Sequence, residues 1–359
     1  MSGQGEGVKR LKPSTVAESI LDRPDKGSFS NSPISPLLAE RSIKAHTTLA
    51  SYFPHPLDSH STDTPGHNPR LTIAICSTFV VCSVISYLRQ NQAKRDTLLS
   101  FEYIEVVTTA SITRITLNRP EVLNAINQKM HDELQEAFDQ FAANDEQHLC
   151  VVAGAGERAF SAGSDLKAIA KASKPNVYPR SGYAGLIERF DLDKPVIAAV
   201  DGVAVGGGFE LALACDILIA THRSKFGLPE PLIGAVALGG GMHRLARQIG
   251  LKQAMGLILS ADMVGAEEGY RMGFVTQLVD HQALDATVNE WCEKILRCAP
   301  LATRASKQTV MCGLDEPSLQ DAMRHQKTYP AFKVCYTSAD RKEGARAFAE
   351  KRPPRWTGK

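Results

Sequence analysis

The sequence predicts an α/β fold for the part of the chain that follows residue 100. Short runs of β-branched residues end at turn residues, and an amphipathic helix separates the first two of them from the next. Glycine-rich loops also follow two of the apolar runs directly. Strand, loop and helix repeated in this manner are typical of an α/β core.

The individual elements follow from local patterns. The segments FEYIEVVTTA and SITRITLNRP predict two strands, the second ending at Pro120. The segment AINQKMHDELQEAFDQFAAN predicts a helix, because its apolar residues recur at a helical period: Met130, Leu134, Ala137, Phe138 and Phe141. The segments LCVVAGAG, KPVIAAVDG and CDILIATHRSKFGL each predict a further buried strand. We therefore assign residues 101–250 to the core and 251–359 to a C-terminal helical region.

The N-terminal part of the chain has a different composition. Residues 1–70 are rich in Ser, Pro, His and charge, which predicts a disordered polar region. Residues 71–88 carry no charge, and basic residues follow them, so the segment is a candidate membrane anchor with the downstream domain in the cytosol. It is shorter than the roughly 20 apolar residues that span a bilayer. A packed helix or strand, or a non-native segment, is the alternative.

Composition excludes some classes of function. Lys and Arg number 41 against 39 Asp and Glu, and no long basic block occurs, which argues against nucleic acid as the main partner. The eight cysteines form no CxxC pair and have no metal-ligand spacing with histidine, so we expect no metal site and a reducing compartment. The C-terminus is not an S-K-L type peroxisomal address, and the compartment stays unassigned.

Two glycine-bearing loops are the candidates for chemistry. GAGERA nominally fits a dinucleotide fingerprint, but no second strand ending in an acid follows it. FSAGSDLK and DGVAVGGGFE each follow a predicted strand, and glycine lets backbone N–H groups approach a ligand closely. Two such loops on neighbouring strands would place two N–H donors at one point. That is an oxyanion hole, suited to a thioester carbonyl that becomes an enolate.

Two acids accompany these loops. Glu210 lies at the start of the helix after the three glycines, and Glu230 lies in FGLPEPLIG. Each has a simpler explanation, since an acid in the first turn of a helix is stabilised by the helix dipole and an acid between prolines is commonly solvated. Two carboxylates beside an oxyanion hole can instead act as base and acid.

The chain from about Phe101 to Lys359 resembles the crotonase (enoyl-CoA hydratase/isomerase) superfamily. The motifs that carry the resemblance are ITLNRPEVLNAIN, AFSAGSDLK, KPVIAAVDGVAVGGGFELALACDI, FGLPEPLIG, GGGMHRL, GAEEGYRMGFV and EGARAFAEKRPPRW. It implies a spiral of β-β-α turns followed by helices that assemble a homotrimer or a dimer of trimers. Several motifs look most similar to those of carnitinyl-CoA dehydratases and generic hydratases.

The resemblance also implies roles for individual residues. The oxyanion-hole donors would be the backbone N–H groups of Ser164 and Gly207, and the acids would be Glu210 and Glu230. Coenzyme A, entering as part of the thioester with no separate cofactor, would lie along Gly207 and a second segment: Ser164, Asp165, Leu166 and Lys167.

The activity that the resemblance implies is reversible syn addition of water to a 2-enoyl-CoA. Carnitinyl-CoA dehydration and double-bond isomerisation are alternatives. Ser164 stands where carnitinyl-CoA dehydratases carry a bulky aromatic residue, which argues against a carnitine substrate, and apolar Leu238 argues against a third acid. A non-catalytic binding protein on the same fold is a different class, and the presence of both glutamates argues against it.

Overall fold

The computed structural model describes residues 101–173 and 177–359. The predicted disordered region 1–70 and the candidate anchor 71–88 lie outside the described residues. Across the described ranges, no helix is both long enough and apolar enough to cross a membrane. The prediction of a mixed α/β core is confirmed.

The larger sheet has six strands in the order β1-β2-β3-β5-β7-β10. β1 and β2 pair antiparallel, and every other neighbouring pair in this sheet is parallel. Its strands are β1 (Ile104–Thr109), β2 (Ile112–Leu117), β3 (Leu149–Gly154), β5 (Val196–Val200), β7 (Ile217–Thr221) and β10 (Gln277–Val279). The predicted strands in this region correspond to β1, β2, β3, β5 and β7.

A second sheet of four very short strands packs beside the first, in the order β4-β6-β8-β9. Its strands are β4 (Ala159–Ser161), β6 (Val203–Val205), β8 (Lys225–Gly227) and β9 (Met263–Gly265). β4, β6 and β8 run parallel, and β9 pairs antiparallel to β8. Because β4 and β6 are parallel neighbours, the loops that follow them leave the same edge of this sheet.

Eleven α-helices lie in the described ranges. Six of them precede β10: α1 (Gln128–Ala143), α2 (Leu166–Lys171), α3 (Gly207–Ala214), α4 (Gly241–Ile249), α5 (Leu251–Ser260) and α6 (Ala266–Met272). The remaining five follow it: α7 (Leu284–Leu296), α8 (Pro300–Leu314), α9 (Leu319–His325), α10 (Pro330–Thr337) and α11 (Ala339–Ala349). Short 3-10 turns cover 120–122, 183–185, 230–233 and 281–283.

The region beyond residue 250 is therefore mostly helical but not wholly so. It also contributes β9 to the smaller sheet and β10 to the edge of the larger one. Both strands have only three residues, too few for an alternating pattern to be recognised in the sequence. That a domain boundary lies at residue 250 stays a prediction.

Helix α1 shows how the sequence produces an element that later positions the site. The Asn127 side chain accepts a hydrogen bond from the Met130 N–H at 3.0 Å and so caps the first turn. The predicted apolar stripe is buried: Met130, Leu134, Ala137, Phe138 and Phe141. His131 is buried on the same helix and faces the segment around Tyr183.

Candidate functional site

The two glycine-bearing loops meet at the edge of the smaller sheet. Ile126 and Ser164 form an isolated parallel bridge, in which the Ile126 N–H donates to the Gly163 carbonyl at 2.7 Å. Gly163 has a φ of +78°, and a Cβ added there would lie 2.8 Å from the Gly207 nitrogen. Only a glycine at 163 therefore allows the first loop to approach the amino end of α3.

This contact brings together the two amides that the resemblance implied as donors. In residues 101–173 and 177–359, neither the Ser164 N–H nor the Gly207 N–H donates a hydrogen bond to another protein atom. Gly207 is the first residue of α3, where an N–H has no partner within the helix. Two unpaired amides on touching loops, one at a helix amino end, form an arrangement that can bind a developing oxyanion.

Glu210 lies one turn into α3 and is almost wholly buried, at 3% exposure. Its Oε1 accepts a hydrogen bond from the Gly241 N–H at 2.9 Å. Burial raises the pKa of Glu210 to about 7, and the nearby Glu230 carboxyl adds to the rise while the amides of Gly241 and Gly239 oppose it. The side chain is therefore able to hold or release a proton near neutral pH.

Glu230 opens the 3-10 turn that follows β8 and is half-buried. A Cβ added at Gly206 would lie 2.9 Å from Glu230 Oε1, so this carboxyl approaches the backbone just before α3. Its Oε2 is buried and has no hydrogen-bond partner within the described part of the chain. Burial raises the pKa of Glu230 above its ordinary value.

The structure therefore brings both predicted acids to the amino end of α3. Glu210 lies inside the helix, and Glu230 contacts the backbone that leads into it. The Glu230 carboxyl helps to raise the pKa of Glu210, since like charges repel. Two carboxyls with raised pKa values at one place are chemically able to act as an acid and a base.

The segment proposed to follow coenzyme A begins at this site and runs outward. Asp165 caps α2 by accepting from the Ala168 N–H at 3.0 Å, and it also pairs with Arg119 at 3.1 Å. Leu166 and Lys167 are exposed on the first turn of α2. The Asp165 carboxylate is thus engaged within the protein, while Leu166 and Lys167 are open to a ligand.

Sequence reasoning missed two features of the site. The short strands β4 and β6, which deliver the two loops, have three residues each and were not predicted. Tyr183 is buried beside both loops, a placement that no sequence motif indicated. A Cβ added at Gly207 would overlap its ring. Three residues are too few for an alternating pattern, so the sequence carries no recognisable signal for β4 and β6.

No group of three or more His, Cys, Asp or Glu that could hold a metal ion occurs in the ranges that the structure describes. Cys150 and Cys215 are both buried. Burial raises the pKa of the Cys150 thiol, so it stays protonated.

Comparison with known families and proteins identifies a clear set of relatives. The sequence model described as "Enoyl-CoA hydratase/isomerase" matches residues 107–359. A carnitinyl-CoA dehydratase of Escherichia coli (strain K12) is 39% identical over 264 residues, which are 72% of this chain and 99% of that protein. A carnitinyl-CoA dehydratase of Citrobacter koseri is 40% identical over 254 residues, 69% of this chain and 95% of that protein.

Solved structures give the same result for the fold. The enoyl-CoA hydratase of Mycobacterium tuberculosis H37Rv superposes with a TM-score of 0.67 at 38% identity, over 72% of this chain and 99% of that one. The enoyl-CoA hydratase EchA1 of Mycobacterium marinum superposes with a TM-score of 0.67 at 40% identity, over 72% of this chain and 99% of that one. The predicted crotonase-like fold is thereby confirmed.

Proposed function

Because the chain belongs to the enoyl-CoA hydratase/isomerase family, we propose that it is a hydro-lyase that adds water reversibly to the double bond of a 2-enoyl-CoA thioester. The observation that carries the proposal is the juxtaposition of two unpaired amides with two carboxyls at the amino end of α3. The amides belong to Ser164 and Gly207, and the carboxyls to Glu210 and Glu230.

The amides stabilise the negative charge that develops on the thioester oxygen, which is the most difficult step of the reaction. When water attacks Cβ, the electron pair of the double bond moves toward that oxygen and forms an enolate. Two N–H donors held on a fixed backbone stabilise this charge without reorganisation, and loss of one such donor costs about 2.7–4 kcal/mol of barrier in comparable sites. In the dehydration direction the same donors stabilise the same enolate.

The carboxyls address the proton transfers. One glutamate, ionised, accepts a proton from the attacking water as its oxygen bonds to Cβ. The other, protonated, donates its proton to Cα as the enolate collapses. The two side chains exchange protonation states in one turnover, and the atoms of one water are added to the double bond. The raised pKa values of Glu210 and Glu230 favour a pair that shares one proton.

Dehydration of a carnitinyl-CoA is a second candidate function. It is favoured by the identity of 39–40% to carnitinyl-CoA dehydratases along nearly their whole length. The side chain at Ser164 argues against it, because serine offers no aromatic face to a trimethylammonium group. The exposed Leu238 brings no acid to the site, so isomerisation, which typically relies on one dominant acid, is less well supported.

We also propose assembly as a homotrimer or a dimer of trimers. Apolar side chains are exposed on the C-terminal helices, where a single chain gains nothing from them: Val310, Met311, Leu314, Leu319, Met323 and Val334. Surface of this kind marks a protein interface more often than a solvated face. Sedimentation of the full chain would test the assembly, and a monomer at micromolar concentration would refute it.

The function is tested with the purified full chain and two substrates. Crotonyl-CoA hydration is followed by loss of the enoyl-thioester absorbance, and crotonobetainyl-CoA is assayed in parallel. Faster turnover of crotonyl-CoA supports the general hydratase, and faster turnover of crotonobetainyl-CoA supports the carnitinyl enzyme. Tight binding of both thioesters without turnover of either would contradict the hydro-lyase, and absence of binding would favour a non-catalytic protein.

A further inference from the structure

We propose that Tyr183 is a positioning residue of the oxyanion hole, which acts by holding Ser164 and Gly207 at a fixed separation. The inference rests on the proposed function, because it assigns a role within that same site. It concerns a side chain that neither the sequence motifs nor the two glutamates account for.

The position of Tyr183 is the first observation. Its ring lies directly against the Gly207 backbone, so that a Cβ at Gly207 would overlap the ring. Its hydroxyl lies 3.4 Å from the Ser164 hydroxyl. One buried side chain, at 3% exposure, therefore contacts both residues whose amides form the hole.

The state of the hydroxyl is the second observation. Burial raises the pKa of Tyr183 well above its ordinary range, and the carboxyls of Glu210 and Glu230 add to the rise. The phenol is therefore neutral wherever the glutamates work, and it accepts the hydrogen bond from Ser164. At 3.4 Å this bond is long, so we expect it to shorten when a thioester occupies the hole.

The third observation is that helix α1 holds Tyr183 in place. The His131 and Tyr183 rings meet edge to face, with their centroids 4.6 Å apart. His131 Nδ1 accepts a hydrogen bond from the Ala184 N–H at 3.0 Å. Ala184 has a φ of +53°, which is rare for a non-glycine residue and costs about 1 kcal/mol or more. The contact with His131 stabilises this strained turn.

His131 itself is suited to this role. Burial lowers its pKa to about 4, so the imidazole is neutral at the pH of the reaction. Because Nδ1 accepts from Ala184, the proton of the neutral ring is assigned to Nε2. The Gln135 side chain accepts from the Ser181 N–H at 3.0 Å and fixes the start of the same segment. The chain of contacts thus runs from α1 through Tyr183 to the two amides.

A tyrosine that merely fills space would behave differently from a positioning residue. If packing alone mattered, the aromatic ring would be sufficient and the hydroxyl would be dispensable. If the hydroxyl ties Ser164 to the ring, its removal would loosen the hole without changing the stability of the fold. The comparison of Tyr183→Phe with the wild-type chain distinguishes the two.

The experiment uses the full chain, the Tyr183→Phe variant and Tyr270→Phe as a matched control on the exposed face of α6. With crotonyl-CoA we expect Tyr183→Phe to lower kcat by about 3- to 10-fold, the effect of one modest hydrogen bond. KM and the melting temperature should change little, and Tyr270→Phe should match the wild type. Unchanged kcat in Tyr183→Phe would overturn the proposal.

A double-mutant cycle tests the route through Ser164. Ser164→Ala retains the backbone amide but loses the hydroxyl that meets Tyr183. If the two hydroxyls act as one unit, the double variant should lose no more activity than Tyr183→Phe alone. Losses that multiply would show that Tyr183 does not act through Ser164, and would overturn the positioning role.

A ligand-binding readout separates this proposal from the proposed function. Acetoacetyl-CoA forms an enolate with its own near-ultraviolet absorbance, and an oxyanion hole should stabilise that enolate without any hydration. If the wild type gives the enolate signal but no hydration of crotonyl-CoA, the hydratase function fails and the positioning role is still measured. A signal equal in wild type and Tyr183→Phe would then refute the positioning role alone.

Discussion

The Gly241 N–H donates to Glu210 Oε1 at 2.9 Å, so the amino end of α4 holds a carboxylate that is buried within α3. A Cβ added at Gly241 would lie 2.8 Å from Glu210 Cγ, and a Cβ at Gly239 would overlap the carboxylate. The glycine run 239–241 therefore forms a backbone pocket that accommodates the Glu210 side chain. It orients the carboxylate while burial keeps its proton affinity high.

Substitution of either acid should abolish hydration without loss of ligand binding. In Glu210→Gln and Glu230→Gln the side chain keeps its shape but cannot transfer a proton, so we expect kcat to fall by about 100-fold or more. Binding of the CoA thioester should change by less than about 3-fold, because the amides of Ser164 and Gly207 remain. Glu290→Gln, on an exposed face of α7, is the matched control. Either active-site variant with most of its turnover intact would exclude that glutamate as a proton carrier.

The same substitution at Glu210 should stabilise the fold at high pH. The pKa of Glu210 is about 7 in the folded chain against an ordinary value of 4.5, so the folded state binds the extra proton between these values. Stability is therefore lost as the pH rises from about 4.5 to 7, and Gln removes this loss. We expect Glu210→Gln to gain on the order of 1–3 kcal/mol at pH 8 and nothing at pH 4. If Glu210→Gln and the wild-type chain had equal unfolding free energies at pH 8 as well as at pH 4, the raised pKa of Glu210 would be contradicted.

The hydration rate should pass through a maximum with pH. At low pH both carboxyls are protonated and no base is present, whereas at high pH both are ionised and no acid is present. The acid limb reflects the raised pKa of Glu230, and the alkaline limb should lie near or above pH 7 because ionisation of the second carboxyl is opposed by the first. The measurement is kcat/KM for crotonyl-CoA from pH 4 to pH 10. A flat profile would contradict a shared proton.

Gly207 should tolerate no side chain. A Cβ there would overlap the Tyr183 ring, so Gly207→Ala must move the first turn of α3 and with it one oxyanion donor. We expect kcat to fall by about 100- to 1,000-fold. Gly256, in α5, has open space around its Cβ position, so Gly256→Ala is the matched control and should gain about 0.5–1 kcal/mol of stability. An active Gly207→Ala variant would show that the hole lies elsewhere.

Replacement of Lys194 should lower the free energy of unfolding. It is fully buried, and its ammonium donates to the carbonyl of Phe141 at 2.9 Å and to that of Asn144 at 2.8 Å, which closes the end of α1. Lys194→Met keeps the stem but leaves two carbonyls without a donor. We expect a loss of about 1–3 kcal/mol in urea unfolding. Lys252→Met on the exposed face of α5 should change nothing, and equal stability of the two variants would refute the role.

Much of the fold was predictable from the sequence because its signals are local. The apolar period of α1 and the β-branched runs of β2, β3 and β5 each report burial within one element. The strands β4, β6 and β9 were not recognised, since three residues carry no periodic pattern. Their pairing depends on segments that are distant in the sequence. Tertiary contact, not local propensity, determines them.

The site was predictable to a different extent. The glycine loops around 163 and 207 were recognised from the sequence, and both acids were identified with them. The contacts of Tyr183 with Ser164 and Gly207 were not predictable, because these residues lie about 20 positions away along the chain on either side of it. The backbone pocket around Glu210 likewise depends on a glycine run whose last residue lies 31 positions further along the chain. Neither relationship leaves a local signature.

In the proposed reaction, Glu210 and Glu230 add water across one face of a 2-enoyl-CoA. The most direct measurement is hydration of crotonyl-CoA by the full chain in D₂O, with the product examined by proton NMR. We expect one deuterium at Cα, on the same face as the new hydroxyl at Cβ, because both carboxyls approach from the amino end of α3. Deuterium on the opposite face, or on both faces equally, would contradict it.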